Sequence, residues 1–168
     1  MICPSCQQRV DPKAGEGTCP YCRYPCREFH LQVTLTQTII WAIFALTLVY
    51  GALVAVLELA VGYRPAGGTA ASNLFGGLLL VPLLGIVIFF KRAQAKAVSA
   101  SEPSAMRSAL TVAAALAEAP AIYGLLMYLL SGSIMWFTIF LGVSWLLFLD
   151  LGLRLPEYLN RMKDAIGR

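Results

Sequence analysis

Residues 39–61 read IIWAIFALTLVYGALVAVLELAV, and this stretch decides the fold. A helix crosses the hydrocarbon layer of a membrane with about 17–25 apolar residues, and Glu58 is the one charged residue in this run. Further apolar runs follow at residues 74–90, 109–130 and 134–153. Of the 168 residues, 58% are apolar or aromatic and 13% are charged, against roughly 25% charged in a soluble domain. We therefore predict an all-α polytopic membrane protein with four transmembrane helices.

The basic residues predict the orientation of these four spans. Twelve of the thirteen Lys and Arg residues lie before residue 39, between residues 91 and 107, or after residue 153, and Arg64 is the exception. Because basic residues concentrate on the cytoplasmic side of a membrane, we expect both termini in the cytoplasm. The chain then divides into a cysteine-rich segment (1–30), a four-helix transmembrane domain (36–155) and a cytoplasmic amphipathic tail (156–168).

The amino-terminal segment carries the pattern of a metal site. All five cysteines lie within the first 26 residues, and four of them form two C-x-x-C pairs separated by twelve residues: Cys3, Cys6, Cys19 and Cys22. A segment this small, without a core-forming apolar run, needs a disulfide or a metal to fold. Two C-x-x-C turns present four thiolates as a tetrahedron, which suits Zn²⁺. Iron on the same thiolates and a pair of disulfides are the alternatives, and a cytoplasmic location argues against the disulfides.

The motif CPSC…CPYC resembles the zinc-ribbon family, in the short amino-terminal form attached to bacterial membrane proteins. The resemblance covers about residues 1–26 and implies that the four paired cysteines hold a structural zinc ion, in a protein of a bacterial-type inner membrane. Glycine often follows each knuckle in that family, whereas this chain has Gln7 and Arg23 there. Cys26 is left over, as an inert thiol, an alternative ligand or a site of lipid attachment.

The ribbon is expected to dock a protein partner or a second copy of the chain. Its surface also offers charge and stacking groups for nucleic acid, namely Arg9, Lys13, Arg23, Arg27, Tyr21 and Tyr24. Acidic residues in the same segment nearly cancel the positive charge: Asp11, Glu16 and Glu28. This balance disfavours nucleic-acid binding and leaves protein contact as the prediction.

One carboxyl group is predicted to lie deep in the bilayer. Glu118 is 12 residues from the outer end of its span, or ~18 Å at about 1.5 Å per residue, where a charged group is costly and usually functional. The same count places Tyr50 and Ser144 at ~15–17 Å, so we expect a hydrogen-bonded cluster of Glu118 with Tyr50 or Ser144. Asp150, by contrast, precedes Arg154 by four residues and has an ion-pair partner on its own helix.

The surroundings of Glu118 predict close helix packing. Pro120 cannot donate a hydrogen bond to the carbonyl of Leu116 and is expected to kink the helix. Small residues at helical spacing permit close approach of a neighbouring helix: Ala113, Ala117, Ala121 and Gly124. The string ALAEAPAIYGLL, within residues 113–126, resembles the carboxylate helix of the rotary-ATPase proteolipid (c-type) family. That resemblance implies a proton- or sodium-carrying role for Glu118, although the other spans lack the family's repeated glycines.

No catalytic constellation is present in the sequence. His30 is the single histidine, so a histidine-dependent triad, an H-E-x-x-H zinc site and haem ligation between spans are all excluded. An enzyme that acts on lipid would need polar clusters that the spans lack. We predict a non-enzymatic integral membrane protein whose cytoplasmic zinc ribbon mediates protein interaction or assembly of a membrane complex. The alternative is a small proton- or ion-translocating protein that uses Glu118.

Overall fold

The computed structural model describes residues 3, 5–9, 18–63, 69–100 and 102–166. Four long helices make up almost all of it: α1 (Cys26–Val56), α2 (Thr69–Ser99), α3 (Pro103–Ser131) and α4 (Ile134–Ile166). A π-helical turn (Leu57–Val61) extends α1 and ends at Gly62, whose φ of 62° caps it in the left-handed conformation. The described part contains no β-strand, which confirms the all-α prediction.

Three helices are long and apolar enough to cross a membrane: Cys26–Val61, Pro103–Ser131 and Ile134–Ala165. Large apolar side chains point outward from them, including Leu59 at 88% exposure, Leu153 at 75% and Leu130 at 72%. Such a surface suits lipid better than water and is consistent with an integral membrane protein. A span through α2 stays a prediction, because part of that helix lies outside the residues whose side chains the structure describes.

The helices are longer than the predicted spans, mainly at the end assigned to the cytoplasm. α1 begins at Cys26, 13 residues before the apolar run, which is about 20 Å of additional helix. At the other end of the chain, the tail predicted as a separate amphipathic segment continues α4 through Pro156 as far as Ile166. Tyr158 and Met162 are fully buried there. This packing compensates for the hydrogen bond that Pro156 removes from the helix.

α3 occupies the centre of the bundle and packs against α4, α2 and α1. Small residues make up the middle of its core-facing surface, and the four predicted for close packing are all buried: Ala113, Ala117, Ala121 and Gly124. A Cβ atom placed on Gly124 would lie 2.9 Å from the Cβ of Phe140 and 3.1 Å from the carbonyl oxygen of Phe137. Because glycine has no side chain, α3 and α4 can approach each other this closely.

Candidate metal centre and intramembrane polar contacts

Each of the two C-x-x-C motifs forms its own turn, and the two turns have the same hydrogen-bond pattern. In the first, the amide of Gln7 donates to the carbonyl of Cys3 at 2.9 Å, and the amide of Cys3 donates to the carbonyl of Gln8 at 2.9 Å. In the second, Arg23 and Cys19 form the equivalent bond at 2.8 Å, and the amide of Cys19 donates to the carbonyl of Tyr24 at 2.8 Å. The repeated turn presents both cysteines of each pair to one point.

Gln7 and Arg23 adopt the backbone conformation that glycine favours. Their φ angles are 59° and 60°, in the left-handed region that costs an L-residue roughly 1–2 kcal/mol. These are the two positions at which the chain departs from the glycine pattern of zinc ribbons. A glycine would adopt the same backbone conformation at these positions without strain.

The four paired thiols surround a space of the right size for a metal ion. Their sulfur atoms all lie within 4.8 Å of one another, with Cys3 Sγ 3.6 Å from Cys22 Sγ and Cys6 Sγ 3.5 Å from Cys19 Sγ. A disulfide requires about 2.05 Å, whereas a tetrahedral site with metal–sulfur bonds of about 2.3 Å separates its sulfurs by ~3.8 Å. All five cysteines, each of which the structure describes, are free thiols. The set can hold a metal ion, and the disulfide alternative is wrong.

Local hydrogen bonds prepare two of these thiols to act as ligands. Burial raises the pKa of the Cys3 thiol, but the amides of Cys6 and Ser5 and the neighbouring thiols of Cys26 and Cys22 outweigh burial and lower that pKa to about 6. Cys19 follows the same pattern: burial raises its pKa, and the amides of Tyr21 and Cys22 reverse the effect and lower it. Metal ions bind the thiolate form of cysteine, which the turns favour at Cys3 and Cys19. At Cys6 the amide of Gln8 lowers the pKa, but burial and the neighbouring thiols outweigh it and raise that pKa to about 12.

Cys26 is not a member of the four-thiol set but lies directly against it. Its side chain is fully buried at the first residue of α1, in a cluster with Cys3, Cys19 and Tyr24. Phe29 packs against the same cluster from the next turn of α1. A thiol without exposed surface is a poor site for lipid attachment, so we assign Cys26 a packing role between the knuckles and the helix.

The cysteine segment is anchored to the far end of the chain. Tyr24, which is 6% exposed, donates from its hydroxyl to the carbonyl oxygen of Lys163 at 2.8 Å. A cleft of about 310 Å³ separates the second knuckle from α4 and is bounded by Arg23 and Asp164. The cysteine segment is thus attached to the bundle at the carboxy-terminal end of α4. Residues 10–17, which join the two knuckles, lie outside the described part of the chain.

The structure brings two members of the predicted intramembrane cluster together and separates the third. The hydroxyl of Tyr50 donates to Glu118 Oε1 at 2.7 Å, joining α1 to α3. Ser144, the alternative partner predicted for Glu118, instead donates to the carbonyl oxygen of Ala117 at 2.6 Å. Successive residues of a helix point about 100° apart. Ala117 therefore faces α4 while Glu118 faces α1.

Asp150 has closer partners than the one on its own helix. Lys91 Nζ lies 2.8 Å and Gln94 Nε2 2.7 Å from Asp150 Oδ2, whereas Arg154 Nε is 3.4 Å from Oδ1. The sequence analysis missed both α2 partners. The available signal was that Lys91 and Gln94 are three residues apart, and so share a face of a helix that ends at the same side of the membrane as Asp150.

No family model matches the chain, and no curated protein or solved structure matches it. Functional conclusions therefore depend on the contacts themselves. Two kinds of site are present in the described residues: a four-thiol centre outside the bundle, and the Tyr50–Glu118 hydrogen bond inside it.

Proposed function

We propose that this chain is a non-enzymatic membrane protein whose cytoplasmic zinc ribbon holds a protein partner, or a second copy of the chain, against a four-span bundle. The observation that carries the proposal is the four-thiol set together with its anchor, the hydrogen bond from Tyr24 to Lys163. A closed thiolate shell leaves no position for a substrate, so the metal would serve to fold the ribbon and not to catalyse.

Zinc is the metal we assign to the site. Four thiolates in a tetrahedron are the usual ligand set of a structural zinc ion. Zn²⁺ also undergoes no redox reaction, so the reducing cytoplasm does not change its oxidation state. Iron could occupy the same ligands, and the two metals are easily distinguished. We expect elemental analysis of the purified protein to give one equivalent of zinc per chain, and a colourless sample. Stoichiometric iron with a visible absorption band would contradict the assignment.

The second knuckle supplies a candidate contact surface. Tyr21 lies between two metal ligands and is 70% exposed, with exposed Arg23 beside it and exposed Arg27 on the first turn of α1. Tyrosine and arginine are enriched among the residues that dominate binding energy in protein interfaces. A turn held by the metal would already fix the backbone at Tyr21, so that binding a partner would cost little conformational entropy. Protein contact is therefore favoured over nucleic acid as the role of this surface.

Substitution of Tyr21 tests the interface separately from the metal. Tyr21→Ala should keep its zinc but release the chain from a larger assembly, because the ring is exposed and makes no ligand bond. Leu31→Ala is the matched control, since Leu31 is also exposed, at 57%, but lies on α1 away from the knuckles. Particle mass and zinc content of mild-detergent extracts report both properties. A wild type that is always a single chain, or a Tyr21→Ala assembly of unchanged mass, would overturn the proposal.

A second candidate function is proton or ion translocation, and the Tyr50–Glu118 contact is the observation in its favour. A carboxyl group held by a hydroxyl from a neighbouring helix is a reasonable intramembrane ion site. Reconstituted liposomes distinguish the two functions. If translocation is the function, Glu118→Gln abolishes a flux that Glu58→Gln retains. The leading proposal expects no flux above empty liposomes for the wild type.

A further inference from the structure

An open groove separates α2 from α3 at the end assigned to the cytoplasm. Its volume is about 610 Å³. The groove exists because the facing positions are small: Ala93 on α2, and Ala105 and Ala109 on α3 all line it without filling it. Neighbouring positions hold the two helices together, because Phe90 and Ala97 of α2 are fully buried in the bundle core.

The groove is amphipathic along its length. Apolar side chains line the part nearer the middle of the bilayer, namely Phe89, Val112 and Leu116. Arg92 and Lys96 line the part nearer the cytoplasm. These two residues are four apart and therefore project from the same face of α2. A ligand that fits both parts has an apolar body and a negatively charged head.

The charge of the two basic residues is available to a ligand. Both side chains are exposed, and no acidic side chain in the described part of the chain forms an ion pair with either of them. Lys91, the neighbour of Arg92, contrasts with them because it pairs with Asp150 at 2.8 Å. The guanidinium of Arg92 lies over the ring of Phe89, 5.8 Å from its centroid, and so stands at the boundary between the apolar and the basic part.

We propose that this groove binds an anionic glycerophospholipid of the inner leaflet. Arg92 and Lys96 would contact the phosphate, and one acyl chain would lie along Phe89 and Leu116. Basic pockets between membrane helices on the cytoplasmic side are typical sites for such headgroups. The lipid site requires that α2 crosses the membrane together with α1, α3 and α4, as in the proposed architecture. It requires neither the zinc ion nor the protein partner.

Lipid binding by the purified full-length protein tests the proposal. Native mass spectrometry in mild detergent can compare titrations with dioleoyl phosphatidylglycerol and with dioleoyl phosphatidylcholine. We expect preferential retention of phosphatidylglycerol. The double variant Arg92→Gln/Lys96→Gln should weaken that binding about 25-fold, since each basic side chain near an anionic surface contributes about fivefold.

Two further variants separate the groove from general charge and from misfolding. Arg9→Gln/Arg154→Gln removes the same charge from exposed positions outside the groove and should change binding less than twofold. Ala105→Phe keeps every charge but fills the groove from an exposed position of α3, and it should also weaken binding. Equal retention of the two lipids, equal loss in both double variants, or displacement of the lipid by millimolar inorganic phosphate would overturn the proposal. Zinc content and particle mass are measured separately, so failure of the proposed function would not be mistaken for failure of the lipid site.

Discussion

Gly124 offers the sharpest test of how α3 meets α4. A methyl group at this position would lie 2.9 Å from the Cβ of Phe140 and 3.3 Å from the Cα of Phe137, both closer than ordinary van der Waals contact. Because one of these neighbours is backbone, rotation of a side chain cannot relieve the clash, and α4 itself must shift. Gly142 provides the matched control, since a Cβ there would have nothing within 4 Å.

The expected magnitudes follow from two opposing effects. Replacement of glycine by alanine inside a helix stabilises it by about 1 kcal/mol, whereas overpacking of a tight contact destabilises by about 1–3 kcal/mol. Gly124→Ala should therefore lower the free energy of unfolding by ~0–2 kcal/mol, and Gly142→Ala should raise it by ~1 kcal/mol. The difference between the two variants, ~1–3 kcal/mol, is the quantity to measure.

Unfolding in mixed micelles of increasing SDS fraction, followed by circular dichroism, gives this difference directly. Both substitutions add the same methyl group to a helical glycine, so general effects of the detergent cancel in the comparison. If Gly124→Ala proves as stable as Gly142→Ala, then α3 and α4 do not approach as closely as described. The account of the small-residue surface on α3 would then be rejected.

Three other substitutions or treatments probe the remaining contacts. Tyr50→Phe should destabilise the bundle by about 0.6–2 kcal/mol, the range for hydrogen bonds between membrane helices, and most of this loss should disappear in a Glu118→Gln background. Gln7→Gly should tighten zinc binding by up to about tenfold, because it removes left-handed strain of roughly 1–2 kcal/mol and adds only about 0.5–1 kcal/mol of chain entropy cost. Competition with a chelator measures the change, and Gln8→Gly, which relieves no such strain, should weaken binding. Removal of zinc by a chelator should accelerate amide hydrogen exchange in residues 157–166, because the ribbon anchors that end of α4 through Tyr24; unchanged exchange there would show that the anchor does not depend on the metal.

The sequence predicts much of this fold because two of its signals are strong physical constraints. Apolar runs of membrane-spanning length indicated helices in three regions where the structure has long apolar helices. Paired cysteines require their thiols to converge, and the structure brings all four together. The depth count that grouped Tyr50 with Glu118 succeeded for a related reason, since helix rise fixes height along the membrane normal.

The depth count gives the height of a residue in the membrane but does not predict the direction in which its side chain points from the helix axis. Ala117 and Glu118 differ by only about 1.5 Å in height but by about 100° in direction, so Ser144 meets the first and not the second. The amino-terminal extension of α1 escaped prediction for a different reason. Residues 26–38 are too polar to be predicted as part of a span, yet they form the first turns of α1, which pack on the cysteine segment through Cys26 and Phe29.

The positions of the polar contacts indicate which part of the molecule fixes the arrangement of the helices. Hydrogen bonds between helices inside a membrane contribute on average only about 0.6 kcal/mol, and Tyr50 with Glu118 is such a contact. Several others cluster towards the end of the bundle at which α1 begins and α4 ends: Gln32 with Arg107 at 3.0 Å, Arg161 with the Val98 carbonyl at 3.4 Å, and Tyr24 with the Lys163 carbonyl at 2.8 Å. They join α1 to α3, α2 to α4, and the cysteine segment to α4, all at one end of the bundle. A partner that binds the ribbon therefore acts on the same body whose α2–α3 groove would hold the lipid, and any effect of one ligand on the other must be reciprocal in binding free energy.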